Sequence, residues 1–201
     1  LKKEKQKLNL LLQKVKNNLT KELQKRKKIG IVIKQDTLEK QAKIIYLGIG
    51  SNLGNRINNI EKAKSKLLES GIFILDVSSY YQSLSWPNSN NPKFYNIVLK
   101  ITSKLNEIEL LLLCKKIEKA LGRKKAPKNS PRKCDIDIID FNKKIKKHTI
   151  NLPHPRMHRR NFVLLPLFEI DKNWKHPISK LHIKALILSL SNRDISSIKK
   201  I

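Results

Sequence analysis

Cysteine is almost absent from this 201-residue chain: only Cys114 and Cys134 occur, with no CxxC spacing. That excludes a zinc ribbon and a disulfide framework. Both are expected as small apolar core residues in a reducing compartment. Long apolar runs are missing too, and none reaches the roughly 18 residues of a membrane span. The N-terminal leucines are interrupted by Gln13 and Lys14, and no small-residue cleavage site follows, so a secretory pattern is lacking. The expected compartment is therefore the cytoplasm. A Gly-rich loop ending in Lys-Ser/Thr is also absent, and the glycines of GIGSNLGN (48–55) do not have the dinucleotide spacing. Acidic side chains are scarce, 16 Asp and Glu against 44 Lys and Arg, which sets the formal net charge at +28.

Such an excess raises the possibility of nucleic acid. Against it, Lys, Asn and Ile are frequent throughout, at plain surface positions as well, which reads as compositional bias. The glycine-aromatic string with which RNA-binding sheets stack bases is also absent. No nucleic-acid partner is expected. Arginine is the more telling cation: there are eight, and five fall between Arg123 and Arg160. A planar guanidinium grips phosphate through two parallel hydrogen bonds, which an ammonium cannot do.

Apolar residues at 39% and charged residues at 30% suit one ordinary core. Residues 1–43 stand apart, with fourteen Lys/Arg and four Asp/Glu. Leu8, Leu12, Val15, Leu19 and Leu23 form one apolar stripe on a basic amphipathic helix. It reads either as a docking or membrane-surface helix or as a loosely packed extension. The body is expected at 44–201. IIYLGIG (44–50) reads as a strand and 55–69 as a helix with Ile57, Ile60, Ala63, Leu67 and Leu68 on one side. IFILDVSSYYQS (72–83) reads as a single strand, LSWPNSNNP (84–92) as a loop and FYNIVLKITS (94–103) as a strand. Residues 106–121 predict a helix with Ile108, Leu111, Leu112, Ile117 and Leu121 inward. A basic loop (122–133) and the strand CDIDIIDF (134–141) follow. This βαββαβ order predicts an α+β, ferredoxin-like fold: an antiparallel sheet with helices on one face.

Asp135 and Asp137 are two apart on that last strand, so their side chains share a face. Two adjacent carboxylates repel unless a cation lies between them. Mg²⁺ favours carboxylates together with substrate phosphates and water, so the pair suits one or two Mg²⁺ ions carrying a nucleotide. The alternative is two solvated surface acids. Arg123 and Arg132 bracket the preceding loop, with Lys124, Lys125, Lys128 and Lys133 between or beside them. A cationic loop closing over a nucleotide would supply alignment and charge neutralisation, which is most of what phosphoryl transfer needs. In PHPRMHRRNF (153–162), His154, Arg156, His158, Arg159 and Arg160 form a third basic cluster, which looks like a phosphate contact.

Six segments, YLGIGSNLGNR, SSYYQS, WP…PKFYN, IEKALGR, SPRKCDIDIIDF and LPHPRMHRRNFVLLPLFEI, together resemble the 6-hydroxymethyl-7,8-dihydropterin pyrophosphokinase family over about residues 44–171. The resemblance implies transfer of pyrophosphate from ATP to 6-hydroxymethyl-7,8-dihydropterin in folate biosynthesis. It implies two Mg²⁺ at Asp135 and Asp137, and catalytic Arg123 and Arg132 on a closing loop. ATP contacts would come from Glu118, His154, Arg160 and Lys128, with Asn52 near the site. A pterin would lie between Phe94 and Phe162, hydrogen-bonded by Asn96 and enclosed by Ser83, Leu84 and Trp86. A monomer is expected, with these two small molecules as its partners. One departure falls on the basic loop: many members have Arg-Trp-Gly-Pro-Arg-Thr-Leu-Asp where this chain has Lys128-Asn129-Ser130-Pro131-Arg132-Lys133-Cys134-Asp135. Lys128 keeps the charge of the first Arg but not its bidentate geometry.

Overall fold

The computed structural model describes residues 43–201, apart from 86–87, 124–125 and 128. The expected N-terminal helix therefore lies outside the described residues. The body begins with β1 (Ile44–Ser51) and α1 (Arg56–Glu69), followed by β2 (Phe73–Val77), β3 (Tyr81–Ser83) and β4 (Phe94–Thr102). Then come α2 (Glu107–Ala120), β5 (Asp135–Phe141), α3 (Asn161–Ile170), α4 (Ile183–Leu188), α5 (Asn192–Ser196) and β6 (Lys199–Lys200). The strands form one sheet in the order β5-β1-β4-β3-β6, and β2 also pairs with β4. Every pairing is antiparallel.

Local chemistry sets the helix ends. Asn55 caps α1 by accepting from the Asn58 N–H at 3.0 Å. Asn106 and Glu109 form a reciprocal capping box at the start of α2. Gly122, at φ 92, turns the chain out of α2 into the basic loop, a conformation only glycine adopts without strain.

Alternation along β1 sends Ile45, Leu47 and Ile49 to one face, where they pack with Ile60, Ala63 and Leu67 of α1 and Leu110, Cys114 and Ile117 of α2. Each leucine and isoleucine among them contributes about 1.5–3 kcal/mol by leaving water. Both cysteines are buried and free, as expected, and burial pushes each thiol up to about 12. The opposite face holds a second cluster, in which Tyr46, Val98 and Ile139 pack beneath Val163, Leu164 and Leu167 of α3 and Ile183 and Leu186 of α4.

Four expectations need correction. Helices cover both sheet faces, because α3 and α4 pack on the side opposite α1 and α2. The strand expected over 72–83 is two strands. At Ser78 the side-chain oxygen takes the Val98 N–H at 2.9 Å, and residues 78–80 separate β2 from β3. The inward row of α2 runs through Leu110, Cys114 and Ile117, and Leu112 is 64% exposed. On α1, Ile57 and Leu68 face solvent. Among the described residues no helix is long and apolar enough to cross a membrane.

Candidate active site

The sheet register assembles the site. Gly50 pairs with Asn96 on one side and Asp135 on the other, and Gly48 pairs with Val98 and Asp137. Between the aspartates of β5 and the Phe94–Asn96 row of β4, the middle strand thus presents no side chains. A Cβ at Gly50 would lie 3.0 Å from Asn96 Oδ1 and 3.3 Å from the Phe94 ring, and one at Gly48 would lie 3.2 Å from Ile139. The two glycines make a floor, and above it opens a cleft of about 820 Å³. Its described lining includes Lys115, Arg123, Arg132, Lys133, Arg156 and Arg160 against the carboxylates of Asp135 and Asp137. A cavity with that balance favours a polyanion.

Each aspartate has its own set of cations. Arg123 donates to Asp135 Oδ1 at 2.7 Å, and Arg132 Nε lies 3.6 Å from Asp135 Oδ2. Arg123 is shared with Glu118, 2.6 Å away. Burial lowers the affinity of Arg123 for its proton, but Asp135 and Glu118 outweigh it and raise its pKa. Glu118 is 1% exposed. It also accepts from Lys115 and, at 2.8 Å, from the N–H of Ile136, the residue between the two aspartates. Asp137 meets Arg160 at 3.3 Å and His154 Nε2 at 3.8 Å. His154 is anchored by its own N–H on the Ile139 carbonyl, and its Nδ1 accepts from the Arg156 N–H at 3.2 Å. Burial lowers the His154 pKa; Asp137 opposes this, while Arg160 and Arg156 add to it.

Asn52, 2% exposed, joins the two loops that border the cleft. Its Oδ1 accepts from the Arg132 N–H at 2.7 Å, its own N–H donates to the Arg132 carbonyl, and its Nδ2 donates to the Pro92 carbonyl. The Arg132 backbone is thereby fixed, while its buried Nε has no hydrogen-bond acceptor. A buried donor with no hydrogen bond, in a cationic cleft, fits an anionic group. The guanidinium of Arg132 lies 5.7 Å from the Phe94 ring centre, and that of Arg160 lies 5.4 Å from Phe162. At this aromatic end the Asn96 amide donates to Ser83 Oγ at 3.0 Å and to the Tyr81 carbonyl, which leaves Oδ1 to accept from a ligand.

Of the residues expected from sequence, Ser83, Leu84, Phe94, Asn96, Arg123, Arg132, Asp135, Asp137, His154, Arg160 and Phe162 all line the cleft. Trp86 and Lys128 lie outside the described residues. Glu118 is not part of the lining; it lies beneath it and holds Arg123 and β5. The basic cluster at 154–160 divides. His154, Arg156 and Arg160 face the cleft, whereas His158 packs edge-on to His176 at 5.9 Å. Lys115 also lines the cleft, and its only signal in the sequence is the three-residue helical spacing to Glu118. Among the described residues, no three His, Cys, Asp or Glu side chains form a metal cage. Two oxygen donors beside space for phosphate nevertheless fit Mg²⁺, which takes few protein carboxylates and completes its shell with phosphate and water.

Residues 46–172 match the family model described as 7,8-dihydro-6-hydroxymethylpterin-pyrophosphokinase (HPPK). The 2-amino-4-hydroxy-6-hydroxymethyldihydropteridine pyrophosphokinase of Aquifex aeolicus is 43% identical over 141 residues, covering 70% of this chain and 88% of the relative. The folic acid synthesis protein fol1 of Pneumocystis carinii is 37% identical over 155 residues, 77% of this chain; the match spans only 21% of that longer protein. Wild-type Plasmodium falciparum HPPK-DHPS shares the fold, with a TM-score of 0.60 at 16% identity over 80% of this chain and 48% of that one.

Proposed function

The chain belongs to the 7,8-dihydro-6-hydroxymethylpterin-pyrophosphokinase family, and from that premise we propose how its residues transfer pyrophosphate from ATP to 6-hydroxymethyl-7,8-dihydropterin, giving AMP and the pterin diphosphate in folate synthesis. The observation behind this reading is the glycine floor, which sets a cation-and-carboxylate half of the cleft against an aromatic half with one free amide acceptor.

The pterin lies between Phe94 and Phe162, a flat heterocycle between two rings, with Asn96 Oδ1 accepting from its polar edge. Ser83 and Leu84 close that end. The triphosphate lies over Asp135 and Asp137, within the reach of Arg123, Arg132, His154 and Arg160; Lys128 is assigned to it from the sequence alone. Two Mg²⁺ ions held by the aspartates would supply charge neutralisation and a template for the polyphosphate. Arg132, whose Nε has no hydrogen bond, and Arg123, held on Glu118, stabilise charge that gathers on the bridging oxygen as the bond to AMP breaks. The hydroxymethyl oxygen bonds to the β-phosphorus as the bond from that phosphorus to the AMP oxygen opens, and the hydroxyl proton is released to water. A loose transition state needs little general-base assistance. Glu118 ties β5 to α2 through the Ile136 N–H.

The strand order, with helices after β1 and β4, supports a ferredoxin-like reading of the core. We also read residues 44–201 as the catalytic unit and the chain as a monomer. Its two free, buried cysteines support a reducing compartment, the cytoplasm.

The test is to incubate the protein with ATP, Mg²⁺ and 6-hydroxymethyl-7,8-dihydropterin and to separate AMP from ADP. Pterin-dependent AMP that disappears on chelation is the expected result. ADP would mean a single phosphoryl transfer and would overturn the reaction assigned.

A further inference from the structure

Glu169 lies outside the cleft lining, yet four donors converge on it. It accepts from Ser79 Oγ at 2.7 Å and from the Ser79 N–H, from the Tyr81 hydroxyl at 2.8 Å, and from Lys200 Nζ at 2.9 Å. Its side chain is 27% exposed. So many donors on one carboxylate exceed what fixing a helix end requires, and their positions indicate what is being held.

Glu169 and Phe162 are seven residues apart on α3. Two helical turns return both to one face, about 10.5 Å apart along the axis. Tyr81 and Ser83 are two apart on β3, so they share a face of the strand. The far corners of this frame, Phe162 and Ser83, are walls of the cleft, and Ser83 receives the Asn96 amide. The near corners, Glu169 and Tyr81, are hydrogen-bonded to each other. Strand β3 has only three residues, and residues 78–80 separate it from β2. So short a segment has few ladder bonds of its own to set its position. Strand β6 reinforces the frame by placing Lys200 opposite Tyr81, and the Ile201 N–H donates to the Tyr80 carbonyl at 2.9 Å.

We propose that Glu169 is a positioning residue that, through Tyr81 and Ser79, holds strand β3 against helix α3 and so sets the width of the pocket between Phe162 and Ser83. This rests on the reading of that pocket as the pterin site. The carboxylate acts through the strand and touches neither substrate.

E169A and Y81F are compared with F162A by steady-state kinetics in both substrates, with circular dichroism to verify folding. E169A should raise the KM for 6-hydroxymethyl-7,8-dihydropterin about tenfold, since a hydrogen bond to a charged group is worth about that factor. The KM for ATP and kcat should stay within about twofold. Y81F removes a single hydroxyl, so it should shift the pterin KM in the same direction by less. An unchanged pterin KM in folded E169A, or equal rises for both substrates, overturns the proposal. If E169A does not fold, Y81F decides, and an unchanged pterin KM there overturns it equally. F162A separates the two claims. If F162A raises the pterin KM and E169A does not, the positioning role alone fails. If F162A leaves it unchanged, the pocket assignment fails, and the positioning role with it.

Discussion

Asp137→Ala should nearly abolish turnover and leave the fold intact, and the structure supplies both magnitudes. The Asp137 side chain is 36% exposed, and its partners, Arg160 and His154, sit 3.3 and 3.8 Å away. Ion pairs that solvent reaches contribute about 0–1 kcal/mol. Losing this one should therefore lower the melting temperature by no more than about 4 °C for a unit of this size. Catalysis should respond very differently. Asp137 is one of only two carboxylates in the described cleft lining. Its removal takes away half the proposed cation site and frees Arg160 from its anchor. A loss of about three orders of magnitude in kcat corresponds to about 4 kcal/mol of transition-state stabilisation. The assay is AMP formation at saturating ATP and pterin, with Asp137→Asn in parallel to separate charge from volume. A local reporter shows whether the change stays confined. Asp137 holds the His154 pKa up against burial and Arg160, so the His154 ring should titrate lower in the variant by NMR. Turnover within tenfold of the parent would refute the metal assignment. Lost turnover with a fall of more than about 10 °C in melting temperature would refute the claim that Asp137 acts on chemistry rather than on folding.

Gly50→Ala places a Cβ 3.0 Å from Asn96 Oδ1 and 3.3 Å from Phe94. Pterin KM should rise about tenfold, since overpacking of this kind costs about 1–3 kcal/mol and here falls on the pocket wall; an unchanged pterin KM would mean that Asn96 does not contact the substrate. Asp140 is fully buried and accepts from Trp174 Nε1 at 2.8 Å and the Lys143 N–H at 2.9 Å, away from the cleft. Asp140→Asn should lower stability by about 1–3 kcal/mol in urea titration without changing turnover per folded molecule. Burial lowers the pKa values of both His154 and His176 from the ordinary 6.5. The unfolded chain then binds protons more readily than the folded one, so stability is full above about pH 6.5 and declines as pH falls below it. The urea midpoint should be higher at pH 7.5 than at pH 5.5, and His176→Gln should narrow the gap; an identical gap would remove His176 as a cause.

Much of this architecture was legible in the sequence because strands report themselves through a period of two. Asp135 and Asp137 were placed on one face by that rule alone, and the structure keeps them there. Helix α3 was not legible, because Pro166 lies inside it and the segment is apolar nearly all round. Proline in a helix interior costs about 3 kcal/mol. Burial of Val163, Leu164 and Leu167 against Tyr46, Val98 and Ile139 offsets that cost, and no local pattern announces it. Glu118 misleads for the opposite reason. A glutamate on a helix reads as surface or site, and its burial depends on Arg123 and the Ile136 N–H, which reach it only once α2 has packed on the sheet.

The same packing explains why the cleft opens where it does. On the face covered by α3, β1 presents Tyr46, then Gly48 and Gly50. Along β4 the row runs Val98, Asn96, Phe94, and along β5 it runs Ile139, Asp137, Asp135. Apolar bulk therefore gives way to functional groups along each of three adjacent strands, at Asp137 on β5 and one row further on at Asn96 on β4. The helices α3 and α4 are held over the bulky ends, where there is apolar surface to bury. At the other ends the glycines offer them nothing, and crowding helices onto Asp135 and Asp137 would add the cost of desolvating those charges. The second helical layer stops there, and a space with carboxylates on one wall and Phe94 and Asn96 on the other is left for ligands that bring their own charge and their own flat ring.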